Sequence, residues 1–319
     1  MKKEDFRIVF MGTPEFAVQS LKLLLHDGYP VPAVITAPDR PSGRGQKIQP
    51  SAVKIFAEQN RLDILQPTNL KDTEFLQELQ SLEAHLFVVV AFRMLPEEVF
   101  KMPPNGTINL HASLLPHYRG AAPINWVLIR GEEKTGLTTF FIQKDIDTGH
   151  IILQKDITLT NDMTAGELHD ILKKKGADLL LETIDLIRAG KARVTPQPSH
   201  PNLKTAPRIQ KEDCRISWAQ NVVAIHNLVR GLSPSPGAWT ILNRGSKDEI
   251  LVKIFKTTAE IQSHQKQPGS ISTNHHTYFK IAGPDGFIQV LDLQVAGKKR
   301  MTIREFLRGQ TVHDGWYCV

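Results

Sequence analysis

Short apolar runs alternate with longer amphipathic segments through the first half of the chain. The pattern predicts strands at 6–11, 31–36, 86–91 and 107–110, and helices at 15–26 and 51–60. Strand-length apolar runs that alternate with helix-length segments are typical of a parallel sheet with helices on both faces. We therefore expect an α/β domain at the N-terminus.

Two more strands and one long helix continue this part of the chain. The strands are predicted at 137–142 and 151–157. A helix begins near Thr164, because Thr164 and Glu167 have the spacing of a capping box. Apolar residues recur at helical spacing as far as Gly190, which is expected to end this helix.

The remainder of the chain has a different pattern. Residues 191–213 are rich in proline and polar residues, which is typical of an exposed connector. A helix at 219–229 is followed by short strands predicted at 239–242, 250–255, 269–272, 278–282 and 286–293, the spacing of a small β-barrel. We thus expect a first domain at 1–190, a linker at 191–213 and a β-rich domain at 214–319.

Composition narrows the class of protein. The 319 residues are 41% hydrophobic and 23% charged, which is ordinary for a soluble chain of two domains. The longest apolar run, 86–92, is too short to cross a bilayer, and the charged N-terminus leads directly into a strand. We expect a cytoplasmic protein in which Cys214 and Cys318 are reduced thiols, with neither a disulfide framework nor a zinc site.

The net charge of +6 is unevenly distributed along the chain. Residues 1–204 hold 24 Lys and Arg against 24 Asp and Glu, whereas residues 205–319 hold 15 against 9. A basic domain suits a polyanion such as RNA, although the same excess also occurs in domains that are simply soluble.

The first predicted strand ends in Gly12-Thr13-Pro14-Glu15, which invites comparison with a dinucleotide-binding turn. That fingerprint needs three glycines and an acidic residue about 20 positions later, and this chain has only one of the glycines and Asp39 as its nearest acid. Gly12 is better explained by a tight turn between strand and helix, so we expect no NAD site.

Two polar side chains mark the end of the strand at 107–110. Because side chains alternate along a strand, Asn109 and His111 point to the same side at its carboxyl end. An amide donor beside an imidazole could stabilise an oxyanion, although such residues are often ordinary hydrogen-bonding groups. Asp147, two positions before Gly149, is similarly compatible with a functional loop or with an ordinary Asx turn.

The segments that contain Asn109, His111 and Asp147 resemble the sequence motifs of a known enzyme family. The string N-L-H-A-S-L-L-P-H-Y-R-G at 109–120, with D-I-D-T-G at 145–149, resembles the formyltransferases that use 10-formyltetrahydrofolate. Within that family the whole chain is similar to the methionyl-tRNA formyltransferases, through M-G-T-P-E-F at 11–16, P-D-R-P-S-G-R-G-Q-K at 38–47, R-G-A-A-P-I at 119–124, G-L-S-P-S-P-G-A-W at 231–239 and A-G-K-K-R at 296–300.

The resemblance implies a fold and a reaction. The fold would be a Rossmann-like parallel-sheet domain of the formyltransferase type, followed by a small OB-like β-barrel domain. Asn109, His111 and Asp147 would be catalytic, with Asp147 favouring the protonated imidazole and helping to move a proton. Folate would contact Ser113, Leu114, Leu115 and Pro116. The donor would be 10-formyltetrahydrofolate, the acceptor the amino group of initiator methionyl-tRNA, and no metal or obligatory protein partner would be needed.

The resemblance also implies a tRNA surface. The long loop 37–50 would enter the tRNA acceptor end, where arginines hold phosphates and stack on unpaired bases. The residues implicated are Arg40, Arg44 and Lys47 in this loop, and Lys204, Lys298, Lys299, Arg300 and Arg304 for weaker backbone contacts.

One segment departs from the family pattern, and two alternatives stay open. Residues 91–96 read A-F-R-M-L-P where relatives often have a Tyr-Gly step, so the pterin contacts there are not transferred. The catalytic residues alone also fit a formyltransferase for a small amine, such as glycinamide ribonucleotide or an amino sugar. A non-enzymatic RNA-binding protein on the same scaffold is disfavoured, because all three catalytic residues are present.

Overall fold

The N-terminal part of the chain forms a seven-stranded sheet covered by helices. The computed structural model describes residues 1–42, 47–198, 202–245, 248–313 and 315–319. The elements are β1 Ile8–Gly12, α1 Glu15–His26, β2 Ala33–Ile35, β3 Arg40–Ser42, β4 Lys47–Gln49, α2 Ala52–Gln59, β5 Ile64–Leu65, α3 Thr73–Ser81, β6 Leu86–Val90, α4 Glu97–Phe100, β7 Thr107–His111, α5 Pro123–Ile129, β8 Lys134–Phe141, β9 Ile151–Thr158 and α6 Ala165–Arg188.

The strand order of this sheet is β5-β2-β1-β6-β7-β8-β9. Strands β5, β2, β1, β6 and β7 are parallel to one another, which confirms the predicted α/β class. Strand β8 runs antiparallel to β7, so the sheet is mixed at that edge. Every residue of β1 and β6 is buried, as expected for central strands with helices on both faces.

Helix ends follow the sequence signals. The side chain and amide of Thr164 both donate to Glu167 Oε2, and the amide of Glu167 donates to Thr164 Oγ1, which confirms the predicted capping box. The helix α6 ends before Gly190, whose φ of +66° is the left-handed conformation that glycine adopts without strain.

The C-terminal part of the chain is β-rich. Its elements are α7 Val222–Leu232, β10 Ala238–Asn243, β11 Glu249–Ile261, β12 Ile271–Thr273, β13 Phe279–Ala282, β14 Gly286–Val295, β15 Met301–Thr302, α8 Ile303–Gly309 and β16 Tyr317–Cys318. These strands pair antiparallel in the order β12-β13-β14-β11-β10-β16. A bridge between Ser270 and Tyr317 joins the two ends of this order, giving the nearly closed barrel that was predicted.

The chain divides into two compact units. The first is Met1–Gly120, Thr135–Ile157 and His169–Thr205, and the second is Ala121–Lys134, Thr158–Leu168 and Ala206–Val319. Within the second unit, α5 packs closely against α7: a Cβ on Gly231 would lie 2.7 Å from Ile129 Cγ1, and Asn125 Nδ2 donates to Gly231 O at 2.8 Å. The predicted linker at 191–213 stays a prediction.

Both cysteines are buried and free, as expected from the sequence. Burial raises the pKa of the Cys318 thiol to about 12 and also raises the pKa of Cys214, so neither is a reactive thiolate at neutral pH. In the residues that the structure describes, no helix combines the length and apolar character needed to cross a membrane.

Candidate active site

The carboxyl end of β7 presents two of the predicted catalytic residues. Asn109 pairs with Val89 of β6 and Phe140 of β8, and His111 pairs with Thr138 of β8, so β7 is held on both sides. Asn109 is half-buried, and its carboxamide makes no hydrogen bond to any residue within the described ranges. Its two N–H donors are therefore available to a ligand.

His111 is fixed in orientation by a main-chain carbonyl. The side chain is only 6% exposed, and its Nε2 lies 2.9 Å from Tyr118 O. Because a carbonyl oxygen can only accept, Nε2 carries a hydrogen and donates it. The other ring nitrogen, Nδ1, lies 3.7 Å from Asp147 Oδ2, beyond hydrogen-bonding distance. The ring is thus anchored at one nitrogen and faces a carboxylate with the other.

Asp147 is held in a tight turn beside this ring. Its side chain is 13% exposed, and Oδ2 accepts a hydrogen bond from the amide of Gly120 at 2.9 Å. The φ of Asp147 is +55°, a left-handed conformation that Asp tolerates better than most residues. The structure therefore brings Asp147 and His111 together, with Asn109 two residues before His111 on the same strand.

Gly149 allows the turn to lie against β8. A Cβ at this position would lie 1.6 Å from Phe141 O, a contact that the backbone of β8 cannot relieve. Any other residue would displace the turn and the Asp147 side chain with it. The D-x-G pattern is thus explained by close backbone approach.

Two residues that the sequence did not single out support this turn. Gln197 Nε2 lies 2.8 Å from both Asp147 O and Gly149 O and donates to them. Arg119 in turn donates to Gln197 Oε1 from Nε at 3.1 Å and from Nη2 at 2.6 Å. Gln197 lies in the proline-rich segment that was interpreted as a connector. The composition of this segment gives no indication that Gln197 contacts the Asp147 turn. Arg119 lies within the family motif, which was the only available signal.

We expect Gln197→Ala to lower kcat by roughly tenfold while leaving substrate KM values within about twofold, because the turn then loses two hydrogen bonds but keeps the Gly120 contact. Steady-state kinetics of the reaction that the resemblance implies would measure this. Gln77→Ala, on the exposed face of α3, is the matched control and should behave as the parent chain. A normal kcat in Gln197→Ala would show that Asp147 does not depend on this support.

The predicted folate residues form a rigid segment after β7. Ser113 is fully buried and its Oγ donates to His117 O at 2.7 Å. The amide of Leu115 donates to Thr138 Oγ1, which itself donates to Ser113 O. Leu115 is buried, whereas Leu114 and Pro116 are partly exposed. The segment directly continues the strand that carries His111, and its role in folate binding stays a prediction.

The predicted tRNA residues lie in both units. Arg40 is exposed on β3, and Lys47 is the first residue of β4, which pairs with β3 as a hairpin. Arg44 lies outside the described residues. Lys204 is exposed in the first unit, and its carbonyl accepts the amide of Tyr118.

The remaining predicted tRNA residues lie close together in the second unit. Lys298, Lys299 and Arg300 lie between β14 and β15, and Arg304 is in the first turn of α8. All four are exposed, but Arg300 already pairs with Asp292 at 2.7 Å and stacks over Phe255. The structure thus forms one basic patch from residues 298–304.

Comparison with known proteins defines the family. Residues 6–184 match the model of the formyl transferase family, and residues 208–311 match the model of the formyl transferase C-terminal domain. The chain belongs to the formyl transferase family, as the resemblance of its motifs predicted.

Two curated relatives are similar over nearly their whole length. The methionyl-tRNA formyltransferase of Bacteroides fragilis is 50% identical over 312 residues, covering 97% of this chain and 96% of the relative. That of Flavobacterium johnsoniae is 50% identical over 311 residues, covering 98% of each. A solved N-formyltransferase from Helicobacter canadensis, in complex with folinic acid and dTDP-3-aminofucose, has a TM-score of 0.66 at 22% identity, over 94% of this chain and 100% of that one. At this identity the structure supports the fold alone.

Proposed function

We propose that this chain transfers the formyl group of 10-formyltetrahydrofolate to the amino group of methionine on initiator tRNA, in the cytoplasm. The observation that carries the proposal is the anchored His111–Asp147 pair beside Asn109, in a chain 50% identical over nearly its full length to methionyl-tRNA formyltransferases. A folate donor agrees with the solved N-formyltransferase of the same fold, whose structure contains folinic acid.

The proposed reaction begins when the neutral amino nitrogen attacks the formyl carbon. A carbon–nitrogen bond forms, and the carbonyl electron pair moves onto oxygen, which becomes negative. The free N–H groups of Asn109 donate to this oxygen. When His111 is protonated, it keeps its Nε2 hydrogen on Tyr118 O and adds a positive Nδ1–H on the side it shares with Asp147. Donors fixed in this way can each contribute on the order of 3 kcal/mol to the transition state.

The second step needs a proton transfer. The attacking nitrogen becomes positively charged and must lose a proton, while N10 of the folate must gain one to leave. In this proposal the carboxylate of Asp147, which accepts a hydrogen bond from the Gly120 amide, takes this proton and passes it on to N10, directly or through water. The oxygen electron pair then reforms the carbonyl, the bond to N10 breaks, and tetrahydrofolate and formylmethionyl-tRNA are released.

The remaining predicted residues receive binding roles in this proposal. The segment Ser113, Leu114, Leu115 and Pro116 would contact folate next to His111. Arg40, Arg44 and Lys47 would contact the acceptor end of the tRNA, and Lys204, Lys298, Lys299, Arg300 and Arg304 would contact its backbone. Contacts with phosphate position a polyanion and carry little sequence information.

A formylation assay with matched acceptors tests the proposal. The chain is incubated with 10-formyltetrahydrofolate and methionine-charged initiator tRNA, charged elongator tRNA, glycinamide ribonucleotide or a nucleotide-linked amino sugar. We expect efficient transfer to the initiator tRNA and little to the others. Preferred transfer to a small amine would replace the proposal with the small-acceptor alternative. Tight tRNA binding without any turnover would support the non-enzymatic alternative.

A further inference from the structure

Arg93 lies in segment 91–96. It follows β6 in the loop before α4, and its guanidinium reaches the loop after β5. There, Nη1 donates to Thr68 O at 2.9 Å and Nη2 donates to Pro67 O. The guanidinium carbon lies 5.6 Å from the centre of the Phe92 ring. Its Nε is buried and has no hydrogen-bond partner among the described residues. Arg93 is therefore tethered by carbonyls and retains unused donors.

The start of the β3–β4 hairpin is fixed next to this loop. Gln66 Nε2 donates to Ala37 O at 2.8 Å and to Asp39 Oδ1 at 2.9 Å, and Lys54 Nζ lies 2.6 Å from Asp39 Oδ2. Asp39 directly precedes Arg40, and Gln66 directly precedes Pro67, which holds Arg93. The two arginines are thus attached to adjacent anchor points at the carboxyl edge of the sheet.

Neither arginine is neutralised by an acid. The hydrogen bonds of Lys54 and Gln66 lower the pKa of Asp39, whose carboxylate is already occupied by these partners. Among the described residues, no carboxylate lies within ion-pair distance of Arg93 or Arg40. Burial lowers the pKa of Arg93, and the positive charge of Arg40 lowers it further. An anion bound between the two arginines would offset the effect of this charge.

We propose that Arg93 and Arg40 form a phosphate-binding pair for the acceptor end of the tRNA, with Arg93 as the fixed member and Arg40 as the exposed one. Each terminal nitrogen of Arg93 keeps one hydrogen that the carbonyls of Thr68 and Pro67 do not accept, and these two hydrogens suit the forked hydrogen bonding of guanidinium with phosphate. This inference rests on the proposed function, because it names a contact for the same acceptor.

The position of the pair favours tRNA over the donor folate. In the strand order, β7 with Asn109 and His111 lies beside β6, whereas Arg93 reaches in the other direction to the loop after β5. Arg40 lies in the hairpin β3–β4, which forms a two-stranded sheet of its own. A carboxylate on the tail of the folate is the other anion that the two arginines could bind. The measurements below distinguish binding of this carboxylate from binding of a tRNA phosphate.

The test uses the intact chain and the variants Arg93→Met, Arg93→Lys, Arg40→Met and the double Met variant. The control is Arg7→Met, which removes the same charge at the amino end of β1, the opposite edge of the sheet, where Arg7 pairs with Glu83. We measure kcat and KM for methionyl-tRNA and for 10-formyltetrahydrofolate, tRNA affinity across a salt series, and thermal midpoints.

We expect Arg93→Met to raise the KM for methionyl-tRNA roughly tenfold, with KM for folate within about twofold. The slope of log affinity against log salt should fall by about 0.7, the value for one phosphate of a single strand. Arg93→Lys should keep the wild-type slope, and the double variant should lose less than the product of the two single effects, because both residues hold one phosphate. Arg7→Met should change none of these quantities.

Three results would overturn the inference. An unchanged tRNA KM and salt slope in Arg93→Met would exclude a phosphate contact. A rise in folate KM of similar size would assign the pair to the folate carboxylates. If Arg93→Met lowered the thermal midpoint but kept the wild-type salt slope, Arg93 would serve only to hold the two loops together. Failure of the proposed function appears separately, as absence of formyl transfer by the parent chain, while the tRNA-binding series still tests the pair.

Discussion

Asn109→Ala is expected to lower kcat for formyl transfer by on the order of 100-fold or more, with tRNA affinity nearly unchanged. The Asn109 carboxamide has no hydrogen-bond partner among the described residues, so its removal leaves no protein group without a partner. The substitution should therefore remove only the stabilisation of the transition state. Single-turnover rates with saturating folate and tRNA would measure the chemical step. Asn60→Ala, at the exposed end of α2, is the matched control.

His111→Ala should lower kcat by a similar factor. The double variant, with both Asn109 and His111 replaced by Ala, tests whether the two side chains act on the same atom. If both groups stabilise the same oxygen, the double variant should lose less than the product of the two single losses. A near-normal rate in either single variant would remove that residue from the proposed catalytic set.

The strand-end part of the site was predictable because it depends only on local geometry. Side chains two positions apart on a strand share a face, so the sequence alone placed Asn109 and His111 together. Strand β7 was recognisable from its apolar residues. Strand β6 was recognisable from five consecutive apolar residues, all of which are buried in the structure. Family resemblance added the Asp147 turn, which residue spacing could not place next to His111.

Long-range contacts were not predictable from the pattern. Gln197 lies 50 residues beyond Asp147 in a segment with no periodicity, and only the folded chain brings its amide to the carbonyls of Asp147 and Gly149. The direction of β8 was likewise not predictable from its sequence, because strand direction is set by the connection and not by residue type. Its antiparallel pairing with β7 appears only in the register.

The small elements were missed for a different reason. Strands β5 and β15 have two residues each, and β3 contains Pro41, which is depleted in strands except at sheet edges. Such segments are too short to show a period of two. The loop 37–50 was therefore predicted as a loop, whereas Arg40–Ser42 and Lys47–Gln49 pair as a hairpin. That hairpin gives Arg40 a defined position, on which the proposed phosphate pair depends.

The sequence also did not indicate that 121–134 and 158–168 belong with the C-terminal unit. Residues 121–134 lie between β7 and β8 of the first sheet, and residues 158–168 join its strand β9 to α6, so their order along the chain suggests that they belong to the first unit. Contacts such as Asn125 with Gly231 and the carbonyls of Thr160 and Met163 with Arg230 join them to α7. Single substitutions in the intact chain are therefore cleaner tests than a truncation at residue 205, which would remove the partners of these segments.

Asp147→Asn is expected to lower kcat on the order of 100-fold without unfolding the chain. The amide has the shape of the carboxylate and its oxygen can still accept from the Gly120 amide, so the turn should persist. It has no negative charge to stabilise the protonated His111 ring 3.7 Å away and cannot take the proton released by the attacking amine. Rates across pH, with circular dichroism and the thermal midpoint, would separate chemistry from folding.

A matched control for this variant is Asp145→Asn, which removes the same charge from an exposed position in the same loop. We expect Asp145→Asn to retain the parent rate and pH profile, because its side chain is exposed, whereas the carboxylate beside the His111 ring is that of Asp147. In Asp147→Asn, the rate of formyl transfer should stay low at every pH tested, since the carboxylate that accepts the proton in the proposed mechanism is no longer present. If Asp147→Asn instead kept both the rate and the pH profile of the parent chain, the proton would have to leave by another route, and Asp147 would be only a structural element of its turn.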